Sequence, residues 1–195
     1  MYITMAKMLM IVLCLAACCL LGGNAIHTVP QLQAEAYIGR WYQVYTNFWA
    51  DLFSNIFEPD CVTADYALLN STYVSVYNAN WRFDENRTDD ISGYAYIVDV
   101  NDPGKLKVVL DGVPVEGDYW IFKLGPIIEG QYQYSLITDG EAARQLFVLA
   151  RDPAEFAELY DKEVMEYLPL HGFTGPRKEP YAITHNDDCV YPPRN

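Results

Sequence analysis

The sequence predicts an all-β fold: an eight-stranded antiparallel up-and-down barrel with one C-terminal α-helix packed on its outside. Three observations carry this. Residues 39–151 break into short apolar or alternating segments separated by turn residues, the spacing of an antiparallel barrel. After Arg151 the apolar period changes from two to 3.6. Beyond the N-terminal leader only two cysteines, Cys61 and Cys189, remain.

The chain opens with Lys7, an apolar run over 8–21 and small residues at Gly23 and Ala25, which reads as a secretory signal peptide over 1–25. A rival reading takes Leu15-Ala16-Ala17-Cys18 as a lipobox that would lipidate Cys18. Against it, the residues after Cys18 stay apolar, and Asn70-Ser71-Thr72 and Asn86-Arg87-Thr88 are glycosylation sequons, placing candidate sites at Asn70 and Asn86. Residues 26–195 are expected to form a single domain: barrel about 39–151, helix about 153–168, tail 169–195. The expected localisation is secreted and extracellular.

Eight strands are expected at 39–47, 62–69, 72–83, 91–100, 105–111, 118–124, 131–138 and 144–151. Asn70-Ser71, Asn101-Asp102-Pro103-Gly104 and Thr138-Asp139-Gly140 supply turns between them. A barrel of eight strands is just wide enough to hold one small ligand. Phe156, Leu159, Tyr160, Val164, Tyr167 and Leu168 then fall on one helical face, with Asp152 as cap, Pro153 in the first turn, Glu155 placed to reach back, and Pro169 as the stop. A short strand is expected near 181–184 in the tail.

Removing the leader takes Cys14, Cys18, Cys19 and Lys7 with it. The 13 basic residues fall to 12 while the 26 acidic ones stay, so the formal charge moves from −13 to about −14. That charge argues against nucleic acid and anionic membrane surfaces as partners. Cys61 and Cys189 should pair in an oxidising compartment, closing a loop worth roughly 4 to 5 kcal/mol in the chain-entropy model. The end of the sequence, 191–195, has no apolar tail, so no glycolipid anchor is expected. His27, His171 and His185 fall outside the strands without metal-ligand spacing or a nucleophile, and read as surface histidines; no catalytic residue, metal or cofactor is expected.

The motifs Tyr37-Ile38-Gly39-Arg40-Trp41-Tyr42, Cys61-Val62-Thr63-Ala64-Asp65-Tyr66, Tyr119-Trp120-Ile121 and Gln145-Leu146-Phe147, leading into Leu149-Ala150-Arg151-Asp152-Pro153, resemble the lipocalin family. Within it they are most similar to the apolipoprotein D-like group, with Lazarillo-like and bacterial lipocalins as neighbours. The resemblance covers nearly the whole mature chain. It implies a barrel seal in which Gly39 opens the first strand, Trp41 plugs the narrow end and Arg151 lies across the indole, a cation–π contact worth roughly 0.5 to 2 kcal/mol. Pairing of the strand-B cysteine with one near the C-terminus also fits the group. Two departures stand out: 124–130 replaces the family's Thr-Asp-Tyr turn, and a second disulfide has no cysteines.

With Arg151 facing Trp41, strand alternation points Ala64, Tyr66, Leu68, Val74, Val76, Asn78, Tyr119, Ile121, Gln145, Phe147 and Leu149 inward, and sets Trp120 and Phe122 against the helix. The resemblance also implies Tyr66, Asn78, Tyr119 and Phe147 as cavity residues, by a route that shares the assumption of a barrel. The expected ligand is a small hydrophobic molecule with one polar head (fatty acid, sterol, retinoid or pigment), oriented by Tyr66, Tyr119 or Asn78. The apolar segment 48–57 is expected to fold over the mouth as a lid, adding Trp49 and Phe53 to the ligand site; alternatively it docks on lipoprotein or membrane. A monomeric, non-enzymatic carrier is the expectation. The alternatives are a lipocalin-type enzyme, for which Cys61 would have to be a free thiol as in one branch of the superfamily, and a ligand-scavenging stress or defence protein. A haem-binding member would need an inward histidine, and the strands contain none.

Overall fold

Residues 26–54 and 59–193 are described by a computed structural model; the leader and residues 55–57 of the mouth segment lie outside the described residues. A single helical turn, α1 (Ala34–Tyr37), leads into β1 (Gly39–Thr46), followed by α2 (Phe48–Ser54), β2 (Thr63–Leu68), β3 (Tyr73–Arg82), β4 (Arg87–Ile97), β5 (Lys105–Leu110) and β6 (Gly117–Leu124). A small hairpin of β7 (Ile127–Ile128) and β8 (Gln131–Tyr132) precedes β9 (Tyr134–Thr138) and β10 (Leu146–Ala150). Neighbours pair antiparallel around a closed ring, β1-β2-β3-β4-β5-β6-β9-β10, and β10 returns to β1 with Tyr42 opposite Ala150. Every barrel strand therefore has both edges satisfied, which removes the open edges that invite aggregation.

Alternation separates two apolar layers. Phe147 and Leu149 face the lumen with Trp41, Tyr66, Ile121 and Ile137. Leu146, Val148 and Ala150 face outward, where they bury Phe156, Val164 and Leu168. Phe122 joins this outer layer, stacked on Tyr167 and Phe173. Trp120 does not pack on the helix as expected: Lys105 lies over its ring at 4.5 Å.

Several boundaries differ from the sequence reading. β4 begins at Arg87 rather than 91, because Asn86 takes a left-handed backbone (φ 50°) and closes the hairpin directly, letting Arg87–Arg82 and Asp89–Asn80 pair at the solvated rim. Strand 131–138 is interrupted at Gln133, whose N–H donates to Pro126 O and whose carbonyl accepts from Arg151 N. The expected single helix is two, α3 (Pro153–Leu159) and α4 (Asp161–Leu170), parted at Tyr160. Asp152 caps the first by accepting from Ala154 N and Glu155 N. Pro169 does not stop the second. The stop is Gly172 (φ 86°), with Phe173 N donating to Leu168 O and Gly172 N to Pro169 O, the paired bonds of a Schellman cap.

The tail runs back over the barrel. β11 (Tyr181–Ala182) pairs with the upper half of β1, Cys61 N donates to Thr184 O, and Cys61 is bonded to Cys189. His185 is not a surface histidine: its Nε2 donates to Gln43 O, its Nδ1 meets the Tyr191 hydroxyl, and burial pulls its pKa down. His171 likewise stacks on Tyr167 at 3.8 Å. Replacing both cysteines by serine should lower unfolding free energy by about 2 to 5 kcal/mol, read as a shift in the denaturation midpoint, because the 128-residue separation between them leaves the unfolded chain unrestrained.

Candidate functional site

The closed end is built around one guanidinium. Trp41 is completely buried and donates its indole N–H to Tyr37 O at 2.8 Å. The Arg151 guanidinium lies 3.6 Å from the centroid of that ring. Its fork reaches five backbone carbonyls: Tyr132 through Nε, Arg40 through Nη1, and Ala36, Tyr37 and Ile38 through Nη2, at 2.8 to 3.2 Å. Three of these close the C-terminal end of α1, where a cation also meets the negative end of the helical turn. Burial lowers the Arg151 pKa to about 10, which leaves it charged at neutral pH. Gly39 has φ 95°, a backbone conformation that favours glycine, and lies beside Arg151 Nη1 and Gln131 Nε2. The sulfurs of Cys61 and Cys189 are joined to each other rather than free.

Above this seal stands a floor of tyrosines. The Tyr37 hydroxyl bonds Ser135 Oγ at 2.9 Å and the Tyr119 hydroxyl at 2.8 Å, and Tyr119 reaches the Tyr66 hydroxyl at 3.3 Å. Tyr37 stacks on Tyr66, which meets Tyr119 edge-on. Burial pushes all three phenols upward, Tyr66 to about 12, so the floor is neutral and hydrogen-bonding.

Ala64, Tyr66, Val76, Ile121 and Leu149 are buried in the luminal cluster, and Tyr119 and Phe147 pack against it. Val108, Leu110, Tyr119 and Phe147 pack against this cluster and are only partly buried. Asn78 shares this face opposite Ala64, and its Oδ1 is buried without a hydrogen-bond partner among the described residues. Two expectations shift. Tyr66 and Tyr119 spend hydroxyl capacity on one another, and Leu68, below the floor, is exposed. Sequence reasoning missed Ser135 and the floor role of Tyr37; carrying the alternation through Ile137 would have turned Ser135 inward.

Trp49 and Phe53 are not in the luminal cluster. The expected loop is helical here: the two rings stack at 6.1 Å, with Arg177 over Trp49 and Arg144 over Phe53. Asn47 fixes the helix start, its Oδ1 accepting from Ala50 N and Leu146 N. Tyr181 donates to Asp51 Oδ2, tying α2 to the tail. Leu52 and Phe53 remain 43% and 55% exposed. Asn70 and Asn86 are exposed in hairpin turns at opposite ends of the barrel. A cleft of about 280 Å³ lies on the outer wall beside the seal, bordered by Arg40, Asp65, Tyr77 and Arg151, but Arg40 Nε is held by Asp65 at 2.9 Å and Arg151 by its carbonyls, so neither is free for a ligand.

Residues 32–174 match the family model described as a lipocalin-like domain. The chain is 31% identical over 159 residues to temperature-induced lipocalin-1 of Arabidopsis thaliana, covering 76% of this chain and 77% of that protein. It is 28% identical over 146 residues to the outer membrane lipoprotein Blc of Vibrio cholerae, covering 74% and 79%. Among solved structures it resembles Japanin from Rhipicephalus appendiculatus bound to cholesterol (TM-score 0.54, 13% identity, 82% of this chain and 100% of that one). It also resembles the tryptamine complex of the amine-binding protein of Rhodnius prolixus (TM-score 0.51, 18% identity, 77% and 81%).

Two measurements probe this end of the barrel. Arg151→Lys should cost about 2 to 4 kcal/mol in chemical denaturation, because an ammonium cannot serve five carbonyls or lie flat on the indole. The raised Tyr66 pKa contributes stability that is complete below the ordinary value of 10.0 and is lost as pH rises towards about 12. Tyrosinate absorbance should therefore rise in two steps, exposed tyrosines first and the floor only on alkaline unfolding; a single step near the ordinary value would contradict a buried floor.

Proposed function

The chain is a member of the lipocalin family, in its apolipoprotein D-like group, and on that footing we propose that it is a secreted, non-enzymatic carrier of one small hydrophobic ligand held in the barrel. The observation that carries this is the closed barrel with an inward-facing set of apolar and aromatic side chains, several of them only partly buried, beside a sealed tyrosine floor. Burying about 300 Å² of ligand against such a wall is worth several kcal/mol at roughly 25 cal/mol per Å² before ordering costs, enough for micromolar binding. Residues 1–25 act as the cleaved leader, the Cys61–Cys189 disulfide suits an oxidising compartment, and the exposed Asn70 and Asn86 carry glycans in this reading. With the Cys61 sulfur bonded, thiol chemistry is the weaker alternative.

Titration with retinol, arachidonate, cholesterol and biliverdin should give saturable quenching of tryptophan fluorescence for at least one of them; no saturable change with any member would argue for a scaffold. A second reading concerns the mouth. Exposed Leu52 and Phe53 favour contact of α2 with lipoprotein or membrane. Alanine at Trp49 and Phe53 should lower ligand affinity severalfold if α2 acts as a lid, and should reduce liposome association with unchanged affinity if it docks.

A further inference from the structure

A carrier of the kind proposed above must also place the polar end of its ligand, and this inference rests on that reading. The floor contains four hydroxyls in series, Ser135, Tyr37, Tyr119 and Tyr66, joined by three hydrogen bonds of 2.9, 2.8 and 3.3 Å. Each hydroxyl has one hydrogen to donate, so four donors serve three bonds. One O–H is left over, and none of the four is bonded outside the set among the described residues. Two residues along β3 from Val76, which faces Tyr66, Asn78 faces Ala64 and turns its buried Oδ1 inward unpartnered. The lumen thus holds one unused donor at its floor and one unused acceptor on its wall.

Formal charge is missing there. The surrounding luminal residues, among them Ala64, Val76, Ala95, Leu106 and Leu149, are apolar. Arg82, Arg87 and Asp89, towards the rim of the β3–β4 hairpin, are tied to one another and to Asp84 and Glu85. Arg151 borders the outer cleft and its fork is occupied by carbonyls.

We propose that the ligand enters head first and that its head is an uncharged group able both to accept and to donate a hydrogen bond, most simply an alcohol. Its oxygen accepts the spare floor O–H and its hydrogen goes to Asn78 Oδ1. A carboxylate or ammonium would lie in a low-dielectric lumen whose nearest cation, Arg151, is already taken up by backbone carbonyls. The phenols report the same field: Tyr66 lies near enough to Arg151 to feel its charge, yet burial dominates and its ionisation is pushed up to about 12.

Binding of matched pairs to the purified protein at neutral pH tests this: retinol against retinoate, hexadecanol against palmitate, with anhydroretinol as a headless hydrocarbon. Each alcohol should bind at least tenfold tighter than its carboxylate. Tyr66→Phe and Asn78→Leu, with unchanged circular dichroism, should each weaken retinol at least fivefold and anhydroretinol less than twofold. Carboxylates that bind as tightly as alcohols overturn the proposal, as does retinoate affinity that collapses in Arg82→Ala, which would place the head at the rim. So does equal loss of retinol and anhydroretinol in the two floor variants. Failure of every probe to bind, anhydroretinol included, instead removes the carrier reading, and this proposal with it.

Discussion

The contact between the Arg151 guanidinium and the face of Trp41 is the constraint on which the closed end depends. It joins the end of the last barrel strand to the first, beside the seam where the two pair and close the ring. The same guanidinium gathers carbonyls from α1, β1 and β8, so the turn that closes the floor and the strands that form the wall share one anchor. A planar, permanently charged fork can do both; a point charge cannot. Gly39 is part of the device because β1 starts there with a positive φ that side chains rarely adopt.

Sealing one end with a buried cation has an electrostatic cost, met here by carbonyl dipoles and a π face rather than by an acid. The choice matters for the lumen. With no carboxylate in the seal, the interior above it stays free of formal charge, and the tyrosine floor is neutral and polar at once. At the solvated rim, Glu85 and Asp89 are paired with Arg87.

The opposite end is organised differently. α2, the tail and β1 are fastened together by Tyr181–Asp51, by the Asn47 amide and by the disulfide that pins the tail beside Cys61. His185, packed between β1 and Tyr191, completes the strap. The tail then runs down β1 towards the seal, where Pro193 O accepts from Arg40 Nη2.

Much of this was legible in the sequence. Period-two alternation, anchored on Trp41 and Arg151, determined the ring and the inward set on β2, β3, β6 and β10, because one slip of register would have turned every apolar side chain into water. The cysteine count determined the staple. Strand and helix ends were less legible, since a left-handed Asn86 and a Schellman cap at Gly172 are backbone decisions that side-chain pattern does not report. What only the tertiary structure decided was the pairing of polar groups: Ser135, Tyr37, Tyr119 and Tyr66 come from four separated segments, and their hydroxyls meet only when the closed barrel brings those segments within hydrogen-bond reach, leaving Asn78 Oδ1 without a partner among the described residues. Periodicity says which way a side chain points; what it touches is set by the curvature of the closed sheet.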